Sequence, residues 1–452
     1  MTIRAGPVPR GGGRATAAAP DRSRADAVLA AVAIVLLMQV WRVQELFPIL
    51  AVPGLPIVAT LGAGLLFFLG RNSGRALGGL DRPLVAAVLG ILVLVALSIP
   101  GSLYPRYSFE FLLKDYLRTV VLMLLVAASV RGLADLRRLV WLQVVGVTLF
   151  SAVMLTRGSV ASDGRLSETA YYDVNDLATL IVCSLPLALH LWRWSGVWAR
   201  LALLAILACL MVTLVKTGSR GGFLGFVAVA VYLLVWFDGV APAKRWAAVA
   251  LPVLLLVALG GGGYFERMQT LLHPDTDYNW SGNSETGRME VWKRGIGYML
   301  DRPLLGVGAQ AFGVAEGTLA PEAVEREEYG KGFKWSTAHN AFVEIGAEIG
   351  VLGLLLFVAL LVGAFRVLAR ARRGPQREAA VLARALTGSL VGFVVTACFL
   401  SQAYSAYFYT LLGMTLGLAR VRDAAQVPLA HAGPGSRRPG TLPWSRRPAA
   451  DA

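Results

Sequence analysis

Charge is scarce in this chain: 16% of its 452 residues are Asp, Glu, Lys or Arg, against 56% hydrophobic. That balance excludes an ordinary soluble enzyme. Cysteine is scarcer, with three residues. Cys183, Cys209 and Cys398 lie inside apolar runs, without metal-ligand or disulfide-framework spacing, and read as small packing residues. Ten-residue stretches of alternating hydrophobicity are missing, which excludes an outer-membrane barrel. No small-residue cleavage site follows the first apolar run, so no removable signal peptide is expected. There is no internal repeat, and no inverted pair of interrupted helices of the kind that secondary transporters use.

What is abundant is apolar sequence in runs of about 17 to 25 residues, each long enough to cross a ~30 Å hydrocarbon core as a helix. Twelve can be marked, near 26–42, 49–69, 83–100, 115–131, 138–155, 176–193, 200–216, 221–237, 246–262, 339–365, 380–400 and 403–420. The expected fold is all-α, a polytopic integral membrane protein of about 12 transmembrane helices with one large extracytoplasmic loop. The net charge of +15 then reflects topology rather than nucleic acid, because Lys and Arg concentrate in the segments on the side of the N-terminus. By the positive-inside bias both termini are expected in the cytoplasm. Residues 1–25 and 421–452 read as disordered cytoplasmic tails. Residues 26–262 hold helices one to nine, 263–338 the loop, and 339–420 helices ten to twelve.

The loop is the one sizeable polar piece, so function is expected there. Met289, Trp292, Ile296, Met299 and Leu300 recur at helical spacing, predicting an amphipathic helix over about 285–300, with Arg288 at the edge of its apolar face. Asp301-Arg302-Pro303 stops it, and Gly306-Val307-Gly308 reads as a flexible turn. Of the four histidines, His190 falls inside a span, His431 in the C-terminal tail and His273 before a proline. His339 stands at the junction of loop and long apolar helix. There a neutral imidazole can take a proton from a hydroxyl, or alternatively cap the helix. Glu344 and Glu348 lie within that helix, and intramembrane carboxylates default to functional candidates. A regular helix through 339 would turn Glu344 about 140° away from His339, leaving Glu344 a supporting role.

Lys216-Thr217-Gly218-Ser219-Arg220-Gly221-Gly222 forms a short turn between two spans on the same side. Its cations, beside glycine N–H groups at a helix start, suit an anionic phosphate, and equally a tight hairpin with snorkelling cations. Arg42, Arg106, Arg118 and Arg157 are further cations on this side, read as interfacial anchors. Asp173-Val174-Asn175-Asp176-Leu177-Ala178 opens the sixth span, where Asn175 or Asp176 reads as a cap. Asp275-Thr276-Asp277 has the Asp-x-Asp form of metal-dependent sugar-nucleotide transferases, but three residues are a weak match and no metal site is expected.

Taken in order, these motifs resemble the O-antigen ligase and polymerase superfamily (the Wzy_C type). They are Asp-x-Asn-Asp-Leu-Ala at 173–178, Ser-Arg-Gly-Gly at 219–222, Gly-Arg-x-x-x-Trp at 287–292, Arg-Pro-Leu-Leu-Gly-Val-Gly at 302–308, and His-Asn-x-Phe-x-Glu with Gly-x-x-Gly at 339–353. The resemblance implies a metal-independent, cofactor-free glycosyltransferase of the bacterial inner membrane, making surface polysaccharide such as lipopolysaccharide or exopolysaccharide. It implies transfer of a glycan from a polyprenyl (undecaprenyl) diphosphate carrier to a hydroxyl of a glycan or lipid A-core acceptor, on the periplasmic face. Under it His339 is the catalytic base, and Arg220, Arg288 and Lys216 hold the diphosphate. Asn175, Asp176, Ser219, Asn340 and Glu344 support them. Partners would be membrane lipid and other polysaccharide assembly proteins. Ligase stands slightly ahead of repeat-unit polymerase. A polysaccharide-lipid flippase is the alternative of another class.

Overall fold

The computed structural model describes residues 26–69, 77–159, 165–166, 172–238, 240–273, 277, 279–282, 284–328 and 332–426. Every regular element among them is helical. The chain opens with α1 (Ala27–Gln39), the short α2 (Val43–Leu46), α3 (Leu55–Leu69) and α4 (Arg82–Ser98). Next, α5 (Pro105–Phe111) passes through a π turn (Leu112–Tyr116) straight into α6 (Leu117–Ser129). Then come α7 (Leu133–Arg157), α8 (Val174–Arg193), α9 (Val197–Thr217), α10 (Arg220–Val235) and α11 (Pro242–Leu259). Four short helices, α12 (Gly262–Gln269), α13 (Arg288–Asp301), α14 (Phe312–Thr318) and α15 (Pro321–Glu328), fill the connection to α16 (Ala341–Arg372). The chain closes with α17 (Arg377–Ala397) and α18 (Ala406–Gln426).

Each of the twelve apolar runs carries one of these helices. Six of them, α7, α8, α9, α11, α16 and α17, are long and apolar enough to cross a membrane. The apolar α1, α3, α4 and α10 are shorter, at 13 to 17 residues. The protein is therefore an integral membrane protein, with six spans among the described residues that meet the length requirement unaided. Leucines such as Leu61, Leu65, Leu254 and Leu355 stand exposed around the bundle, where lipid rather than water is their natural solvent. α8 and α17 are the central helices, and α9 and α11 lie at the periphery. Close approach in the centre depends on small residues. A Cβ on Gly222 of α10 would sit 2.5 Å from that of Ala178 in α8. α18 continues to Gln426, past the point where a tail was expected. The rest of that tail and residues 1–25 lie outside the described residues.

Helix ends are set by local chemistry. Asp26, Asp81 and Ser219 accept from the first-turn N–H groups of α1, α4 and α10, and α9 stops at Gly218 in the left-handed region. The expected amphipathic helix is α13, beginning at Arg288 and ending at Asp301. The turn after it is not the flexible one expected. α16 breaks at Ile349 and Gly350, and the 303–308 segment docks into the break. Val307 and Gly308 donate to the carbonyls of Ala347 (2.8 Å) and Glu348 (3.0 Å), while Val351 donates to the Pro303 carbonyl (2.8 Å). Val307 is fully buried. Gly306 and Gly350 both have positive φ, and a Cβ on either would collide with the facing carbonyls.

The connection has its own small core of Val291, Tyr298, Val307, Phe312 and their neighbours. At its centre Arg294 grips Glu316 through two bonds, at 3.0 and 2.6 Å, and the Tyr298 hydroxyl donates to Glu316 at 2.9 Å. Glu316 is completely buried. Removing one member of a buried pair costs about 3–5 kcal/mol, and without Glu316 the buried Arg294 keeps only the longer contact to Glu322, at 3.6 Å. Glu316→Ala should therefore unfold this connection while the spans stay inserted. Limited proteolysis would show it as new cleavage within 284–328, whereas a wild-type digestion pattern would contradict it.

Candidate active site

The helices run up and down, so the motifs scattered along the chain meet at one end of the bundle. His339 stands just before α16 rather than on it. Its φ is +46°, a left-handed conformation that costs a non-glycine residue about 1–3 kcal/mol and recurs at functional sites. Asn340 caps α16, its Oδ1 accepting from Phe342 (2.9 Å) and Val343 (3.2 Å) N–H groups. The premise of a regular helix through 339 therefore fails. His339 and Glu344 line the same cavity. The turn is held on both sides: the His339 N–H donates to Ser401 Oγ at 3.0 Å, and Trp292 Nε1 donates to the Ala338 carbonyl at 2.9 Å. Thr337 Oγ1 lies 3.2 Å from His339 Nε2.

The cavity has a volume of about 570 Å³ and is lined by five carboxylates, Asp115, Asp173, Asp176, Glu344 and Glu348. Asp173 and Asp176 form a capping box at the start of α8. Asn175 Nδ2 donates to Asp173 at 2.7 Å, so its contact is within the cap. Asp176 accepts from Gln402 at 2.5 Å, and Glu344 accepts from the Ala403 N–H at 3.1 Å. Arg42 and Arg118, expected to be anchors, line this cavity too. Arg42 pairs with Glu45, and Arg118 with Asp115 at 2.9 Å. Arg106 and Arg157 are exposed, the first 3.1 Å from Glu110 and the second over the Phe47 ring.

The expected phosphate ligands fall apart into two groups. Arg288, the first residue of α13, donates to the Phe399 carbonyl at 3.1 Å. Arg220, opening α10, pairs with Asp277 and donates to Thr270 Oγ1 at 3.0 Å. Ser219 is its N-cap, accepting from Gly222 at 3.0 Å. Gly221 packs so closely on Phe399 that a Cβ would lie 3.1 Å from it. Arg288 thus borders residue 399, and Gly221, next to Arg220 in sequence, packs on the same residue. Lys216 is exposed on the last turn of α9. Asp277 is occupied by Arg220 and by Asn279, whose N–H donates at 2.8 Å. Asp275 lies outside the described residues.

Sequence reasoning missed the 399–403 turn, which touches Arg288, Gly221, His339, Asp176 and Glu344. Its signal was a polar interruption, Ser401-Gln402, between two apolar runs.

Electrostatics follow from this packing. Burial pushes the His339 pKa down to about 4, helped by the positive charge of Arg288 and opposed by Asp173. The imidazole is neutral at pH 7 and able to accept a proton. An unfolded chain would hold that proton up to about pH 6.5. His339 therefore contributes stability above pH 6.5 that is lost as pH falls toward 4. Titration by NMR of histidine-labelled protein should show a histidine at 339 with its midpoint near 4. Arg288→Gln should move that midpoint upward, and an unmoved midpoint would remove Arg288 as a cause.

Fold and site together define a polytopic helical membrane protein with a polar, histidine-bearing cavity at one end of its bundle. Residues 203–358 match the O-antigen ligase family, and the resemblance expected from the motifs stands on that match. It takes in Lys216, Arg220, Arg288 and His339, while Asp173–Ala178 lies before it. The chain is also 39% identical over 80 residues to the exopolysaccharide production protein ExoQ of Rhizobium meliloti (strain 1021), a stretch that is 18% of this chain and 18% of that protein.

Proposed function

We propose that the protein is a glycosyltransferase of surface-polysaccharide assembly, moving a glycan from a polyprenyl diphosphate carrier to an acceptor hydroxyl. The observation that carries this reading is the placement of His339. A neutral imidazole in a strained turn stands under the influence of the Arg288 guanidinium and opens onto a carboxylate-lined cavity of sugar size. Breaking a glycosyl-phosphate bond develops negative charge on the departing diphosphate, which Arg288 and Arg220 can stabilise in a poorly solvated place. Their planar forks suit phosphate oxygens, and Lys216 adds a more distant charge. Asp277 holds Arg220 until a donor competes for it.

The two halves of the site are coupled. A diphosphate beside Arg288 neutralises a charge that adds to the effect of burial on His339, so donor binding strengthens the base that activates the acceptor. The cavity carboxylates accept hydrogen bonds from sugar hydroxyls. Attack in line with the departing diphosphate inverts the anomeric carbon. In this reading the site end faces the periplasm, the protein sits in the inner membrane, and both termini are cytoplasmic, as the distribution of Lys and Arg supports.

Ligation onto a lipid A-core or other non-carrier acceptor is the first form of the activity. Polymerisation of repeat units is the second, and one observation favours it. Arg42 and Arg118 line the acceptor cavity, and a carrier-linked acceptor would bring a second diphosphate.

The test is the glycan profile of a strain in which His339→Ala replaces the wild type. Loss of a general base lowers turnover by about 10² to 10⁴, and Arg220→Ala and Arg288→Ala should each reduce product strongly with the protein still inserted. Long polymer left on its lipid diphosphate identifies a ligase, and single repeat units identify a polymerase. Normal output from all three variants would remove the enzyme reading, and product of retained configuration would remove inversion.

A further inference from the structure

The opposite end of the bundle carries a second cavity of about 640 Å³, enclosed by α8, α9, α10 and α11 and closed off by the start of α17. Its walls are apolar, with Leu185, Leu207, Phe226, Leu233 and Pro252 among them. Measured along α9 from Arg200 to Leu207, and along α11 from Lys244 to Pro252, it runs about 10–12 Å into the bundle at 1.5 Å per residue. The mouth differs from the walls. Arg193, Arg200, Lys244 and Arg377 all border it. None of the four pairs with a carboxylate among the described residues. The nearest acids in sequence are already engaged, Glu378 with Arg137 and Asp238 with Arg384.

This end also bears the tryptophans that mark headgroup depth. Trp192 and Trp194 border the mouth, with Arg193 stacked over the Trp194 ring and Arg200 over that of Trp192. Trp198, Trp236 and Trp246 stand exposed around them. An apolar slot of this depth, opening at the interface beneath four cations, complements a molecule with a hydrocarbon chain and an anionic head.

We infer that this cavity binds an anionic phospholipid, with an acyl chain between α9 and α11 and its phosphate among Arg193, Arg200, Lys244 and Arg377. The lipid supplies packing that the protein lacks there. α11 is the least embedded of the six long spans, with 17% of its apolar window buried, and Pro252 removes one of its backbone bonds in the cavity wall.

The full chain, purified in mild detergent, tests this by native mass spectrometry and by melting after delipidation. Phosphatidylglycerol should be retained at about one molecule per chain and should raise the melting temperature of delipidated protein. Phosphatidylcholine should bind at least tenfold more weakly. Arg193→Glu with Lys244→Glu should abolish the preference, with Arg193→Gln and Lys244→Gln as the milder pair if charge reversal prevents folding. Ala230→Trp, which fills the slot, should lose lipid of both kinds. Equal binding of the two lipids, unchanged binding by the folded variants, or a polyprenyl phosphate in the slot in place of phospholipid would overturn the inference.

Discussion

Where α16 breaks at Ile349 and Gly350, the carbonyls of Ala347 and Glu348 lose their intrahelical donors. Backbone groups inside a membrane protein cannot stay unpaired, since no water reaches them. The chain resolves this by exchange: the 303–308 turn donates its own N–H groups to the two carbonyls and takes the N–H of Val351 in return. That exchange anchors the connection between α11 and α16 to the bundle and so positions α13, whose Arg288 and Trp292 reach the site. The glycines follow from the same constraint, because two backbones approach here more closely than a Cβ permits.

The turn at 399–403 complements that anchor. It leaves the end of α17 and meets each part of the site with a backbone or small polar group, taking Arg288 on a carbonyl, His339 on a hydroxyl and Glu344 on an N–H. Such contacts carry little chemistry of their own. They fix where the charged groups stand, with Arg288 bordering residue 399 and the carboxylates, with His339, lining the cavity. Burial, aided by the charge of Arg288, keeps the imidazole neutral.

The two cavities divide the bundle by chemistry. One end gathers carboxylates, arginines and a histidine around a polar space. The other opposes four cations and a girdle of tryptophans to an apolar slot, which is the arrangement of a surface that meets lipid headgroups.

Much of the fold was legible from residues alone. Apolar runs of bilayer length must be helices, because only helices and closed barrels satisfy their backbone within lipid. The start of α8 was marked by the cap chemistry of the 173–178 motif, although its N-cap is Asp173 rather than Asn175 or Asp176. Arg288, His339 and Glu344 stood out because charge is rare here. Three things were not legible. Arg42 and Arg118 looked like anchors, because their position on the cavity depends on α1 packing against α6. The 306–308 turn looked flexible, since its partners lie some forty residues away. Glu344 seemed turned from His339, because a left-handed residue before a helix leaves no periodic trace. Local propensity and solvent preference are written residue by residue and decided the helices and the membrane. Distances between segments far apart in the chain arise only when side chains interlock, and those decided the site.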